Sequence, residues 1–153
     1  LKIVKPENMH LTLKFLGNTK TSQINQITKI LTEISEEKKP YQIKLKSIGV
    51  FPNKNYMKII WVGVDDNGET KEIADQIDEK LSKIGFKKEK KEFHPHLTLA
   101  RVKSAKNKQK LIDIVEKYEN HVFQESIAES IDLKQSELTS KGPIYTTLKK
   151  SNL

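Results

Sequence analysis

Apolar residues recur along this chain with two different periods. Residues 9–16 and 93–102 alternate apolar with polar positions, the two-residue period of a half-buried strand. Residues 21–37, 70–84 and 108–120 instead place apolar side chains every three to four positions, as amphipathic helices do. The first helix carries Ile24, Ile27, Leu31 and Ile34, is capped by Thr21 or Ser22, and is stopped by Lys38-Lys39-Pro40. The second carries Ile73, Ile77, Leu81 and Ile84, with Gly85 as its C-cap. The third carries Leu111, Val115 and Tyr118, with Ile112 or Ile114 beside them. A short extended piece at 2–4 leads into a turn at 5–8, and Gly17-Asn18 ends the first alternating run. Further strands are expected at 41–50 and 56–64, antiparallel across a loop at 51–55, with a turn at 65–68 behind them. In the tail, a long strand at 123–138 and a final one at 144–148 flank a turn at Ser140-Lys141-Gly142-Pro143.

The two alternating runs contain a repetition. His10-Leu11-Thr12-Leu13 and His96-Leu97-Thr98-Leu99 are identical tetrads, 86 positions apart in a chain with four histidines. On a strand, residues i and i+2 share a face, so each His projects with its Thr while the leucines project oppositely. In the first run this puts Leu11, Leu13 and Phe15 on one face and His10, Thr12 and Lys14 on the other. Strands and helices alternate, and the tetrad strand recurs once. The expected architecture is therefore α+β: two halves related by pseudo-twofold symmetry, each donating one tetrad, with antiparallel sheets lining a central cleft and helices outside.

Composition narrows the function classes. A chain of 153 residues suits one domain or two small lobes, and buries roughly two-thirds of its unfolded surface without needing staples. It has no cysteine, which excludes disulfides, thiolate nucleophiles and Cys-based zinc sites. No apolar run approaches the roughly 18 residues of a membrane span and no signal peptide is visible, so a cytoplasmic, membrane-free, monomeric protein is expected. The net charge of +8 points to a polyanionic partner such as nucleic acid. Of the 28 basic residues all but Arg101 are lysine. A single arginine three residues beyond a tetrad marks a place for a planar fork on phosphate.

The tetrads suit phosphoryl chemistry. Histidine, with an ordinary pKa of about 6.5, both gives and takes protons near neutrality. One neutral and one protonated imidazole supply base and acid to one displacement, each worth ~10²- to 10⁴-fold in rate. Threonine hydroxyls beside them can hold non-bridging phosphate oxygens.

These residues resemble the 2H phosphoesterase superfamily, named for its two His-x-Thr/Ser-x motifs. Within it the chain is similar to the RNA 2′,3′-cyclic phosphodiesterases, also called 2′-5′ RNA ligases. The resemblance runs through Pro6-Glu7-Asn8-Met9-His10-Leu11-Thr12-Leu13-Lys14-Phe15-Leu16-Gly17, Ile60-Trp61-Val62-Gly63-Val64, Gly85-Phe86, Phe93-His94-Pro95-His96-Leu97-Thr98-Leu99-Ala100-Arg101-Val102, Ser136-Glu137-Leu138-Thr139 and Gly142-Pro143-Ile144-Tyr145. It implies a single bilobal domain over 1–153 and a cofactor-free enzyme. The reaction implied opens a 2′,3′-cyclic phosphate on RNA or tRNA fragments to a 2′-phosphomonoester, with 2′-5′ ligation as a further activity. By the same resemblance His10 donates the proton to the leaving 3′ oxygen, His96 activates water, and Thr12 and Thr98 hold phosphate. Family members begin with a further strand and helix ahead of the segment matched by residues 1–4, and this chain is expected to lack that element.

Other residues are candidates of lower rank. Arg101 falls on the leucine side of a regular strand, and a bulge after Leu99 would turn it toward phosphate. His94, Phe93 and Tyr145 are substrate-contact candidates. Phe15 and Phe93 flank the tetrads as candidates for stacking on a base, with core packing the favoured reading of Phe15, and lysines 87–91 are read as a funnel for RNA or a solvated loop. His121 near a helix end is a surface residue. No metal is expected, because no carboxylate or cysteine completes a set with His94 and His96. Two other functions share these residues: binding RNA ends or nucleotides without turnover, and phosphodiesterase action on 2′-5′-linked oligonucleotides.

Overall fold

The alternation at 56–64 and 93–102 produces a sheet with one buried face. A computed structural model of the chain describes every residue except 105 and 141. Strands β1 (Lys2–Ile3), β2 (Tyr41–Asn53), β3 (Tyr56–Asp65), β4 (His96–Arg101) and β5 (Val122–Ala128) form one sheet in the order β1-β4-β3-β2-β5. The pairs β1–β4, β3–β4 and β2–β3 are antiparallel. Ile60, Val62 and Val64 of β3 and Ala100 of β4 are buried, as is Val115 of helix α3 (Lys108–Lys117).

The chain divides into two units, each assembled from three segments. The sheet, apart from Tyr41 and residues 127–128 at its strand ends, and α3 belong to the first, made of residues 1–12, 42–68 and 94–126. The second comprises residues 13–41, 69–93 and 127–153. It contains helices α1 (Thr21–Glu36) and α2 (Glu69–Ser82) and the antiparallel hairpin of β6 (Ser130–Thr139) and β7 (Gly142–Asn152). The predicted apolar stripes meet there: Ile27, Leu31 and Ile34 of α1, Ile73, Ile77 and Leu81 of α2, and Ile131 and Leu133 of β6 form one core. Burying each such side chain contributes about 1.5–3 kcal/mol. Gly85 ends α2 as expected, at φ +99°, and the Phe86 amide reaches back to the Leu81 carbonyl. The α+β class, with antiparallel sheets and three helices, is as expected.

Four elements differ from the sequence reading. The N-cap of α1 is Lys20, whose amide is bonded by the Gln23 side chain. The predicted loop at 51–55 is mostly strand, because the Asn53 side chain accepts the amides of Asn55 and Tyr56 and closes a tight turn. The strand expected at 123–138 is two strands in different sheets, divided at Glu129, and β7 is longer than the expected 144–148. Of the predicted turn at 140–143, Lys141 lies outside the described residues.

The fourth difference is the largest. The run at 9–16 is no continuous strand: only Leu11 forms a bridge, and the chain passes to the second unit after Thr12. From there Leu13 and Leu16 pack on the core, so the alternation no longer describes which side chains are inside. Phe15, expected in the core, is 81% exposed. Lys14, expected to share a face with His10 and Thr12, has a side chain only 3% exposed and pairs with Asp78 of α2. Its ammonium also donates to the Lys87 carbonyl at 2.8 Å, and Asp78 accepts the Glu89 amide at 3.1 Å. A buried lysine is tolerable only with such partners.

Burial pushes the Asp78 pKa up, but hydrogen bonds from Lys14 and the Glu89 amide, with the charges of Lys14 and Lys88, outweigh it and hold the carboxyl below its usual value. The stabilisation is therefore complete above the unfolded carboxyl's pKa of about 3.9 and is lost as pH falls through the lower folded value. Asp78→Asn should flatten this acid limb in denaturant unfolding measured from pH 5 downward. Lys14→Met should cost about 3 kcal/mol at pH 7, the low end for removing one partner of a buried pair, because Asp78 keeps the Glu89 amide.

Candidate active site

The histidine and threonine of both tetrads lie in the first unit, side by side in one sheet, rather than one tetrad in each half. Leu11 and Leu97 form an antiparallel bridge. Continued one residue each way, this register sets His10 opposite Thr98 and Thr12 opposite His96, with all four side chains on the face away from the leucines. Residues opposite one another in this way have Cβ atoms about 4.5–5.5 Å apart. All four are half-buried.

The local chain fixes each imidazole in the same manner. A 3-10 turn at Pro6–Asn8 precedes His10, closed by the Met9 amide on the Pro6 carbonyl. His10 Nδ1 donates to the Asn8 carbonyl at 2.7 Å, and His96 Nδ1 donates to the His94 carbonyl at 2.7 Å. A carbonyl only accepts, so the Nδ1 proton is committed in both rings and Nε2 is the nitrogen for proton exchange.

The neighbouring strands define the rest of this face. Trp61 pairs with Thr98 and Gly63 with His96, so these four share a side, and Val62 and Leu97 share the other. Between Ile60 and Trp61 the register slips, leaving Leu99 without a partner on β3. Beyond the slip Ala100 pairs with Ile60 and stays in the core, while Arg101 pairs with Ile59. Ile59 shares the parity of Trp61. The bulge thus turns exposed Arg101 onto the face of His96 and Thr98, where a regular strand would send it inward.

His96 sits against two aromatic rings that the sequence did not single out. Phe51 meets it edge-on at 5.0 Å between centroids, Trp61 lies at 6.0 Å, and the two aromatics are 5.2 Å apart. Trp61 lies across Gly49, its partner on β2, where any Cβ would collide with the indole. At Gly63 a Cβ would come within 2.8 Å of the Lys46 carbonyl. The lone tryptophan two residues before Gly63, with Gly49 on the facing strand, was the signal available in the sequence. A cleft of about 630 Å³ beside His96 is lined by these rings, Lys46, Asp65, Asn120 and the exposed His94.

Phe93 and Tyr145 belong to the second unit. His121 packs edge-on against Tyr118 and Phe123 on the surface. Among the described residues no group of three or more histidines, aspartates or glutamates is arranged to hold a metal ion. No helix among them is long and apolar enough to cross a membrane.

Comparison with known proteins places this arrangement. The AKAP7 2′5′ RNA ligase-like domain matches residues 2–153. An RNA 2′,3′-cyclic phosphodiesterase of Methanocaldococcus jannaschii is 47% identical over 149 residues, covering 97% of this chain and 83% of that protein. Its counterpart of the same name in Archaeoglobus fulgidus is 40% identical, covering 97% and 82%. The crystal structure of TT0787 of Thermus thermophilus superposes with a TM-score of 0.85 at 26% identity, covering 99% of this chain and 81% of that one.

The packing of Trp61 on Gly49 generates a direct test. Gly49→Ala should displace the indole and destabilise the protein by about 1–3 kcal/mol, the usual cost of overpacking. Because Trp61 is the sole tryptophan, intrinsic fluorescence reports its displacement without labelling.

Proposed function

The chain belongs to the 2′-5′ RNA ligase-like family of 2H phosphoesterases, and on that premise we propose that it opens the 2′,3′-cyclic phosphate of an RNA end to a 2′-phosphomonoester. The observation that carries this reading is the antiparallel pairing of the two tetrads, which sets two identically held imidazoles and two hydroxyls on one face.

The reaction follows from that placement. His96 Nε2 takes a proton from water as its oxygen attacks phosphorus. The bond from phosphorus to the 3′ oxygen breaks, and protonated His10 Nε2 gives its proton to that oxygen. Thr12 and Thr98 donate hydrogen bonds to the non-bridging oxygens, where charge builds in the transition state. Arg101 adds a guanidinium fork to the same phosphate. The Nδ1–carbonyl bonds keep both Nε2 atoms aimed throughout, so little reorganisation accompanies proton transfer. Both proton transfers are supplied by side chains, and turnover is expected to persist in EDTA.

A 5′-hydroxyl of a second RNA in place of water would leave a 2′-5′ linkage by the same steps. The roles of the histidines exchange when the reaction runs backward. With an RNA-end substrate, the cytoplasm is the location we propose for the protein.

His10→Ala and His96→Ala should each lower kcat/KM for a cyclic-ended oligonucleotide by at least ~10²-fold, with a bell-shaped pH profile in the parent that loses one limb in each variant. Chromatography of the product against 2′- and 3′-phosphate standards checks which bond breaks. A 3′-phosphate product, or full activity in either variant, would contradict the mechanism. Arg101→Lys should raise KM more than it lowers kcat, since the charge remains and the fork is lost.

A further inference from the structure

We propose that the second unit carries a docking track for single-stranded RNA, formed by Phe15 and the lysines of segment 87–91. This deepens the function assigned above and rests on its RNA substrate.

Phe15 is held in place while its ring stays in solvent. Leu13 and Leu16 on either side are seated against the core of the second unit, yet Phe15 is 81% exposed. An aromatic ring presented in this way is a platform for another planar surface. A cleft of about 500 Å³ opens beside it, lined by Lys14, Phe15, Leu16 and Gly17 on one side and residues 86–91 on the other.

The charges around that cleft are sorted into two layers. Lys14, beneath, is committed to Asp78. Its bond to the Lys87 carbonyl and the Asp78 bond to the Glu89 amide pin the segment at two points. Lys87, Lys88, Lys90 and Lys91 are all exposed, and Glu89, 3.9 Å from Lys14, is the one acidic residue among them. A fixed backbone presenting four ammonium groups next to one exposed ring is the chemistry that tracks phosphates and stacks a base. The strand must be single, because a ring reaches the face of a base only when that base is unpaired and unstacked. The concave cleft, with Phe15 its one exposed aromatic, argues against a membrane surface, which needs a broad apolar face.

None of these residues belongs to the acid–base machinery, so binding and chemistry can be separated. The test uses Phe15→Ala and a variant with all four lysines changed to glutamine, each checked for an unaltered melting curve. Fluorescence anisotropy reads affinity for a single-stranded oligonucleotide bearing a 2′-phosphate end, and turnover is followed with a 2′,3′-cyclic mononucleotide. Phe15→Ala should weaken oligonucleotide binding about 5- to 150-fold. The lysine variant should reduce the slope of log affinity against log salt by about 0.7 for each phosphate that is no longer neutralised. Mononucleotide turnover should stay unchanged in both.

Oligonucleotide binding equal to the parent in both variants would overturn the proposal and leave the assigned activity standing. Equal loss on the mononucleotide would also overturn it, as would lysine- and Phe15-dependent binding of phosphatidylserine vesicles in preference to the oligonucleotide. Absence of mononucleotide turnover in the parent would instead count against the assigned activity, while the anisotropy comparison still decides the track.

Discussion

The antiparallel bridge between Leu11 and Leu97 is the contact from which the site derives. A strand pair has only two faces, and the register decides which residues share one. With Leu11 opposite Leu97, the histidine of each tetrad faces the threonine of the other, and one face receives two imidazoles and two hydroxyls. A slip of a single residue would send one tetrad's polar side chains to the core. The leucines fix the register by having somewhere apolar to go, and the histidines occupy what remains. This arrangement of imidazoles and hydroxyls is thus a by-product of ordinary sheet packing, refined by the two carbonyls that hold Nδ1.

The second unit depends on a different kind of constraint. Its core of α1, α2 and β6 side chains has no place for an unpaired charge, and Lys14 is buried beside it. Asp78, the Lys87 carbonyl and the Glu89 amide turn this polar intruder into an anchor for a loop with no regular structure of its own. Stability and the shape of the lysine-rich surface are consequently coupled through one ammonium group.

Much of this was legible in the sequence, for reasons that can be named. The helix stripes were readable because the 3.6-residue period persists over several turns and ends at clear stops such as Gly85. The tetrads were readable because the repetition is identical and the chemistry of histidine with threonine is narrow. Phe15 was misread because alternation reports a face only while the chain stays in one sheet, and nothing local announces the departure after Thr12. The break at Glu129 was invisible for the same reason: two strands in different sheets can follow one another without a turn residue. Trp61 and Phe51 were missed as neighbours of His96 because cross-strand partners are set by pairing.

Leu99, which has no partner on β3, has a consequence for how this sequence can vary over time. Between His96 and Arg101 the strand commits both faces, alternately to the site and to the core, and the extra residue lets Ala100 and Arg101 exchange the sides they would otherwise take. Substitutions there can be absorbed singly, each at its own cost. A residue inserted after Leu99 cannot, because with the pairing to β3 otherwise kept it would carry the lone guanidinium into an apolar interior and lift Ala100 out of it. Descendants of this chain are therefore free to drift in composition along the segment while being barred from lengthening it.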